Sequence, residues 1–197
     1  MSGTSEESTP PLVHGAIAGA VAWLIGYVLT YAVAGTRLRE SGLNAIIELS
    51  EGESAAYELV GWVFFNAHFV DVVYTGIGRA LPASYIGGED GFTLALYLVP
   101  PALLFAAGLA VARAQGVADP TRGAALGALV APGYLLLCLI GAFLFRVSAL
   151  GATGEPEFLT AVILAGVIYP AVFGALGGAA GGKTANRPTS DEAPAGS

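Results

Sequence analysis

Asn66, His68 and Asp71 sit together in the apolar stretch 57–78, the one place where this chain puts an amide, an imidazole and an acid side by side. If that stretch is a membrane helix, an ionised Asp near the bilayer centre costs about 2.5 to 3.5 kcal/mol, so Asp71 must face protein rather than lipid. Three residues apart, His68 and Asp71 would share one helical face with Tyr57, Gly61, Phe64, Thr75 and Gly78, while Asn66 points nearly the opposite way. Two chemistries fit. A neutral or paired His68 and Asp71 can bond helices together. The same pair, opened to a path across the bilayer, can take up and release a proton. The structural pair is the leading expectation and the protonatable pair the alternative.

Other patterns carry less chemistry. Gly177, Gly178, Ala179, Ala180, Gly181, Gly182, Lys183 and Thr184 satisfy the phosphate-loop spacing. Such a loop needs a strand before it and a helix after it to aim amides at phosphates, whereas here an apolar helix precedes and a polar tail follows. No nucleotide is therefore expected, and Lys183 is read as an interfacial anchor near a helix C-terminus. Only His14 and His68 are available for haem ligation, one at a span edge and one near a span centre. A paired-His metalloprotease motif is absent, and no serine lies inside a span except near its ends. Cys138 is the single cysteine, so one chain can build neither a disulfide nor a thiolate cluster. No catalytic residue, metal or cofactor is assigned, and an enzyme is not expected.

Prolines fall within three apolar stretches, at Pro100 and Pro101, at Pro132 and at Pro170, each with a tyrosine close by at Tyr97, Tyr134 and Tyr169. Each proline frees a carbonyl at membrane depth, which a neighbouring helix, a water or a ligand must satisfy. Kinked helices packed by tyrosines are the leading reading, and a polar cavity between broken helices is the alternative. Small residues recur at four-residue spacing at Gly15 and Gly19, Gly123 and Gly127, and Gly174 and Gly178, which lets helix backbones pack closely. The first and fourth stretches also share an outline, Gly-Ala, two residues, Gly-Ala, then Gly-Tyr. Antiparallel placement would make that an inverted repeat, but with 28 glycines chance resemblance is the better reading.

The elements that must position these residues follow from composition. Of 197 residues, 55% are hydrophobic and 12% charged, too few charges to clothe a globular surface. Five apolar stretches, 12–34, 57–78, 92–114, 121–145 and 158–180, are each long enough for a hydrocarbon core about 30 Å thick. The expectation is an all-α, single-domain integral membrane bundle of five transmembrane helices, residues 12–181, between a disordered acidic tail at 1–11 and a disordered tail at 182–197. The first stretch reads as a retained anchor, because acids precede it where a signal peptide has basic residues. Between the first two, Leu43, Ile46 and Ile47 against Glu40, Asn44 and Glu48 give the spacing of a short in-plane helix, with a solvated acidic loop as the equal alternative. Ser50 and Glu53 then have capping-box spacing ahead of the second span.

Orientation follows from the basic residues. With the N-terminus outside and the C-terminus inside the cytoplasmic membrane, Arg37, Arg39, Arg113, Arg122, Lys183 and Arg187 lie inside and Arg79 and Arg146 outside. Without the second span the split would be four against four. With 8 basic against 15 acidic residues the solvated surface is acidic, which makes nucleic acid an unsuitable partner.

The stretch 57–74, Tyr-Glu-Leu-Val-Gly-Trp-Val-Phe-Phe-Asn-Ala-His-Phe-Val-Asp-Val-Val-Tyr, and the stretch 168–178, Ile-Tyr-Pro-Ala-Val-Phe-Gly-Ala-Leu-Gly-Gly, resemble a family of multi-pass membrane proteins of unknown function from halophilic archaea. The resemblance covers residues 12–182 and implies a small integral membrane protein in a high-salt organism, with no activity attached. The leading functional expectation is a non-enzymatic membrane component that packs in the lipid bilayer with a second copy or another membrane protein. The alternative is a translocator of a small solute or ion that uses His68 and Asp71.

Overall fold

The computed structural model describes residues 10–76, 81–88 and 90–185. Most of the two expected tails, together with Gly78, Arg79, Glu89 and Arg187, lies outside the described residues. The chain is mainly helical, and the all-α class fits it, with a small sheet added. Six helices are described. Helix α1 is Pro11–Arg39, α2 is Gly42–Glu51 and α3 is Ala56–Asn66. Helix α4 runs from a 3-10 turn, Leu94–Leu98, into Val99–Ala114; α5 joins Pro120–Gly127 to Ala131–Leu144 through a 3-10 step, Ala128–Val130. Helix α6 comprises Phe158–Thr160, a π segment Ala161–Ile168, and Tyr169–Ala185. Strands β1 (Val72–Thr75), β2 (Leu81–Ala83), β3 (Val147–Ala149) and β4 (Ala152–Pro156) form an antiparallel sheet in the order β2-β1-β4-β3.

Among the described residues four helices, not five, are long and apolar enough to cross a membrane: Pro11–Arg39, Leu94–Ala114, Pro120–Leu144 and Phe158–Lys183. The stretch expected as the second span divides instead. Helix α3 has 11 residues, about 16 Å at 1.5 Å per residue and half of a hydrocarbon core. Asn66 helps end it by offering the backbone other bonds: Nδ2 donates to Val70 O at 2.7 Å, and Oδ1 accepts from Tyr85 N at 2.8 Å. Phe69 turns left-handed at φ 59°, and Val70 N reaches back to Phe65 O at 3.1 Å, a helix-ending pattern usually built on glycine. The β-branched and aromatic run Val72-Val73-Tyr74-Thr75 then pairs with both β2 and β4. Helix α3 is apolar because protein surrounds it: every residue from Leu59 to Asn66 is buried.

The expected capping box does not form. Ser50 lies inside α2 and donates to Ile47 O at 3.1 Å. The start of α3 is held by Asn44, almost wholly buried, whose Oδ1 accepts from Ala55 N at 2.9 Å and Ser54 Oγ at 3.0 Å while Nδ2 donates to Arg39 O at 3.0 Å. The segment 42–51 is a helix rather than a loop, capped by Ser41, whose side chain accepts from Asn44 N.

Close approaches fix the helix directions. A Cβ on Gly15 would sit 2.5 Å from Leu129 Cβ, Gly133 lies against Ala16 O, and Gly141 faces Trp23. Residue numbers rise together along α1 and α5, so the two run parallel and the inverted-repeat reading does not hold for them. Gly123 lies against Gly178, and Gly127 and Gly108 lie against Gly174, which joins α4, α5 and α6 at backbone distance. All six glycines singled out for packing thus face other segments of the same chain.

One end of the bundle carries α2, α3 and the sheet. Arg37 Nη1 donates to Gly91 O at 3.3 Å, Nη2 bonds Asp90 O, and the guanidinium lies 4.9 Å from the Phe92 ring centroid. The connection after α1, expected inside, and the connection that holds Asp90, expected outside with Arg79, therefore lie at the same end. The reason is the missing second crossing.

Candidate functional site

His68 is the centre of the buried polar structure. It is 0% exposed, on the turn that follows α3. Its Nδ1 lies 2.9 Å from Phe64 O; a carbonyl only accepts, so Nδ1 carries the proton and donates. Its Nε2, 2.6 Å from the Tyr134 hydroxyl, then accepts from it in the neutral ring. The Phe64 carbonyl needs that donor because the backbone N–H of His68 bonds Phe65 O instead. Phe64 at 4.9 Å and Tyr169 at 5.2 Å pack on the imidazole ring. Both nitrogens are occupied, and the surroundings are aromatic.

Asp71 is not part of this group. It is exposed on the extended stretch leading to β1, where its carbonyl accepts from Glu157 N at 2.8 Å. The three-residue spacing that would have paired it with His68 has no meaning once the helix stops at Asn66. The expected pair is replaced by His68 with Tyr134, contributed by α5.

The proline breaks are present but differently arranged. Pro100, Pro132 and Pro170 each fall at the start of an α-segment, after a 3-10 turn, a 3-10 step and the π segment respectively. Inside the continuous helices the absent N–H leaves a gap that the local change of helix type accommodates: ahead of Pro132, Ala131 N bonds Ala128 O in a 3-10 turn. Ahead of Pro170, Tyr169 N bonds Leu164 O, the five-residue reach of a π turn. Tyr134 serves His68, Tyr97 stacks on Phe69 at 4.4 Å, and Tyr169 packs between His68 and Phe173. These tyrosines and prolines do not line the cavities found at the sheet-bearing end. One such cavity, of about 400 Å³, lies beside Arg37, Tyr85 and Phe92; another, of about 260 Å³, lies between α2 and the sheet.

Residues 177–184 are helical, part of the segment Tyr169–Ala185, with Gly177 against Phe105 and Gly178 against Gly123. The phosphate-loop spacing is thus met on a packed helix. Among the described residues no group of three or more His, Cys, Asp or Glu could hold a metal ion. Outside the helices, Tyr74 and Tyr85 share a hydrogen bond between hydroxyls, and burial pushes both phenols above their ordinary range. Trp62 Nε1 donates to Phe145 O at 2.6 Å, which ties α3 to the end of α5. Asn66, which the spacing turned away from the site, and Tyr134, read as packing a kinked helix or lining a cavity beside it, are the residues that organise the polar contacts.

These features define a mainly helical chain with four helices long and apolar enough to cross a membrane, and a small sheet at one end of the bundle. Residues 1–185 match the family of unknown function DUF7978, and the chain belongs to that family. The expectation of a family without an assigned activity agrees with this match. Searches of curated proteins and of solved structures gave no match.

Proposed function

We propose that this protein is a four-span integral membrane component with a non-enzymatic role in packing or assembly, and with both ends of the chain on one side of the cytoplasmic membrane. The observation that carries this reading is the closed hydrogen bonding of His68. Its donor and acceptor are both taken within the protein, and Asp71, the acid expected beside it, lies at the surface. A proton carrier needs a site that can open to water, and a buried aromatic cluster with both ring nitrogens satisfied opposes that. The glycine contacts between α1 and α5, and among α4, α5 and α6, support a rigid scaffold.

With four spans, Arg37, Arg39 and Arg146 stand at one end and Arg113, Arg122 and Lys183 at the other. The basic residues therefore favour neither side. Exposed aliphatic residues along α1, including Ile17, Val21, Leu24 and Val28, support lipid as its environment, with a second copy or another membrane protein as the partner in assembly. The excess of acidic residues supports a high-salt setting.

The test is solute or proton flux in proteoliposomes under a pH gradient. Flux no greater than in empty vesicles is expected from the wild type and from Asp71→Asn. Flux that requires Asp71 or His68 would replace this reading with the translocator.

A further inference from the structure

We propose that the groove between α2 and the β3–β4 hairpin is a lipid-contact surface, occupied by acyl chains of the surrounding leaflet; the inference rests on the membrane-spanning reading above. The groove has a volume of about 260 Å³ and is lined by Leu43, Ile46, Ile47, Trp62 and Leu150 among others, without a charged residue. At 100° per residue Leu43, Ile46 and Ile47 share one face of α2, while Glu48 points away from it and Glu51 lies at its edge, one turn beyond Ile47. A separate cavity that also touches Ile47 and Val147 is lined instead by Glu51, Glu53, Glu58 and Arg146. The surroundings of α2 are thus divided by polarity, as for a helix at the boundary of hydrocarbon and water.

The hairpin tip gives a second, independent indication. Leu150 and Gly151 are the two central residues between the paired Ala149 and Ala152, with φ of 52° and 81°. Both positive angles belong to the tight hairpin turn in which Asn or Asp ordinarily precedes Gly. A leucine there is strained, and it is also 78% exposed. In water both properties are unfavourable. In contact with acyl chains the exposed side chain becomes favourable and offsets the strained backbone. Leu49, 88% exposed, and Ile46, 49% exposed, present further apolar surface on α2.

Position in the chain selects lipid as the occupant. Helix α2 starts three residues after Arg39 ends α1, and β3 starts three residues after Leu144 ends α5. Leu144 and Phe143, 63% and 65% exposed, belong to the apolar surface of α5 that leads directly into the hairpin. The groove is therefore reached from the ends of two candidate spans, where an apolar surface borders the leaflet. The acids on the other side of α2 leave no charge on the groove itself to recruit a polar ligand.

The experiment is spin-label accessibility in lipid nanodiscs holding one chain each, in a Cys138→Ala background. Single cysteines replace Leu43, Ile46 and Leu150, which line the groove, with Ile25 on the exposed side of α1 as the reference for lipid and Gly52 as the reference for water. Labels at all three test positions should favour oxygen over a nickel chelate, as at Ile25, while Gly52 shows the reverse. If Ile25 favours oxygen but the test positions favour the nickel chelate, the inference fails and the spanning reading stands. If Ile25 itself favours the nickel chelate, the spanning reading fails. Test positions closed to both reagents would mean that protein, not lipid, covers the groove, which also overturns the inference.

Discussion

Removing the Tyr134 hydroxyl is the most direct probe of the buried centre. In Tyr134→Phe the neutral His68 keeps its Nδ1–H bond to Phe64 O but leaves Nε2 without a donor, in a site with no exposed surface. Orphaning one buried polar group costs about 1 to 3 kcal/mol. His68→Leu orphans two groups, the Tyr134 hydroxyl and the Phe64 carbonyl, for about 2 to 6 kcal/mol by the same measure. The double change orphans only the carbonyl, so it should be less damaging than His68→Leu alone, at about 1 to 3 kcal/mol. The assay is unfolding in mixed detergent micelles, read as two double-mutant cycles, one pairing His68→Leu with Tyr134→Phe and the other with Asp71→Leu. Strong nonadditivity between His68 and Tyr134 is expected, and near-additivity between His68→Leu and Asp71→Leu, because Asp71 shares no partner with the ring. Additive effects for His68 and Tyr134, or coupling between His68 and Asp71, would refute the assignment of the pair.

Two further outcomes test the framework around this centre. Glu157 caps α6, accepting from Leu159 N at 3.1 Å and Thr160 N at 2.6 Å, so Glu157→Ala should cost about 1 kcal/mol in thermal or chemical unfolding. Burial raises its carboxyl, but the hydrogen bonds from Thr160 and Leu159 outweigh that and hold it below the usual range. A depressed folded-state value stabilises above the unfolded value, and the gap between wild type and Glu157→Gln should therefore close as pH falls through the folded value. For topology, single cysteines at Gly42, Ser84 and Thr153 in a Cys138→Ala background should share one accessibility to an impermeant thiol reagent, with Gln115 opposite. Labelling that separates Gly42 from Ser84 would restore a crossing between them.

Local patterns in the chain carried the helical class and four helices long and apolar enough to cross a membrane, and offered α2 as one of two equal readings of its segment. Each is set by local quantities: a long apolar run, or the spacing of Leu43, Ile46 and Ile47. Hydropathy reports that a segment avoids water, not what replaces the water. The stretch 57–78 is apolar because protein encloses α3 and β1 joins a sheet, and a window average cannot separate that from lipid. One local sign was present, the β-branched run at 72–75. The partners that stop the helix and occupy the imidazole were out of local reach: Tyr85 is 19 residues from Asn66, and Tyr134 is 66 residues from His68. The charge pattern turned on the same point, since losing the second crossing puts Arg113, Arg122 and Lys183 opposite Arg37 and Arg39 instead of beside them. Only the folded chain set the helix end and the partners of the imidazole, because a backbone amide and a phenol hydroxyl brought from distant segments outweigh the intrinsic preference of the eleven-residue α3 to continue as a helix.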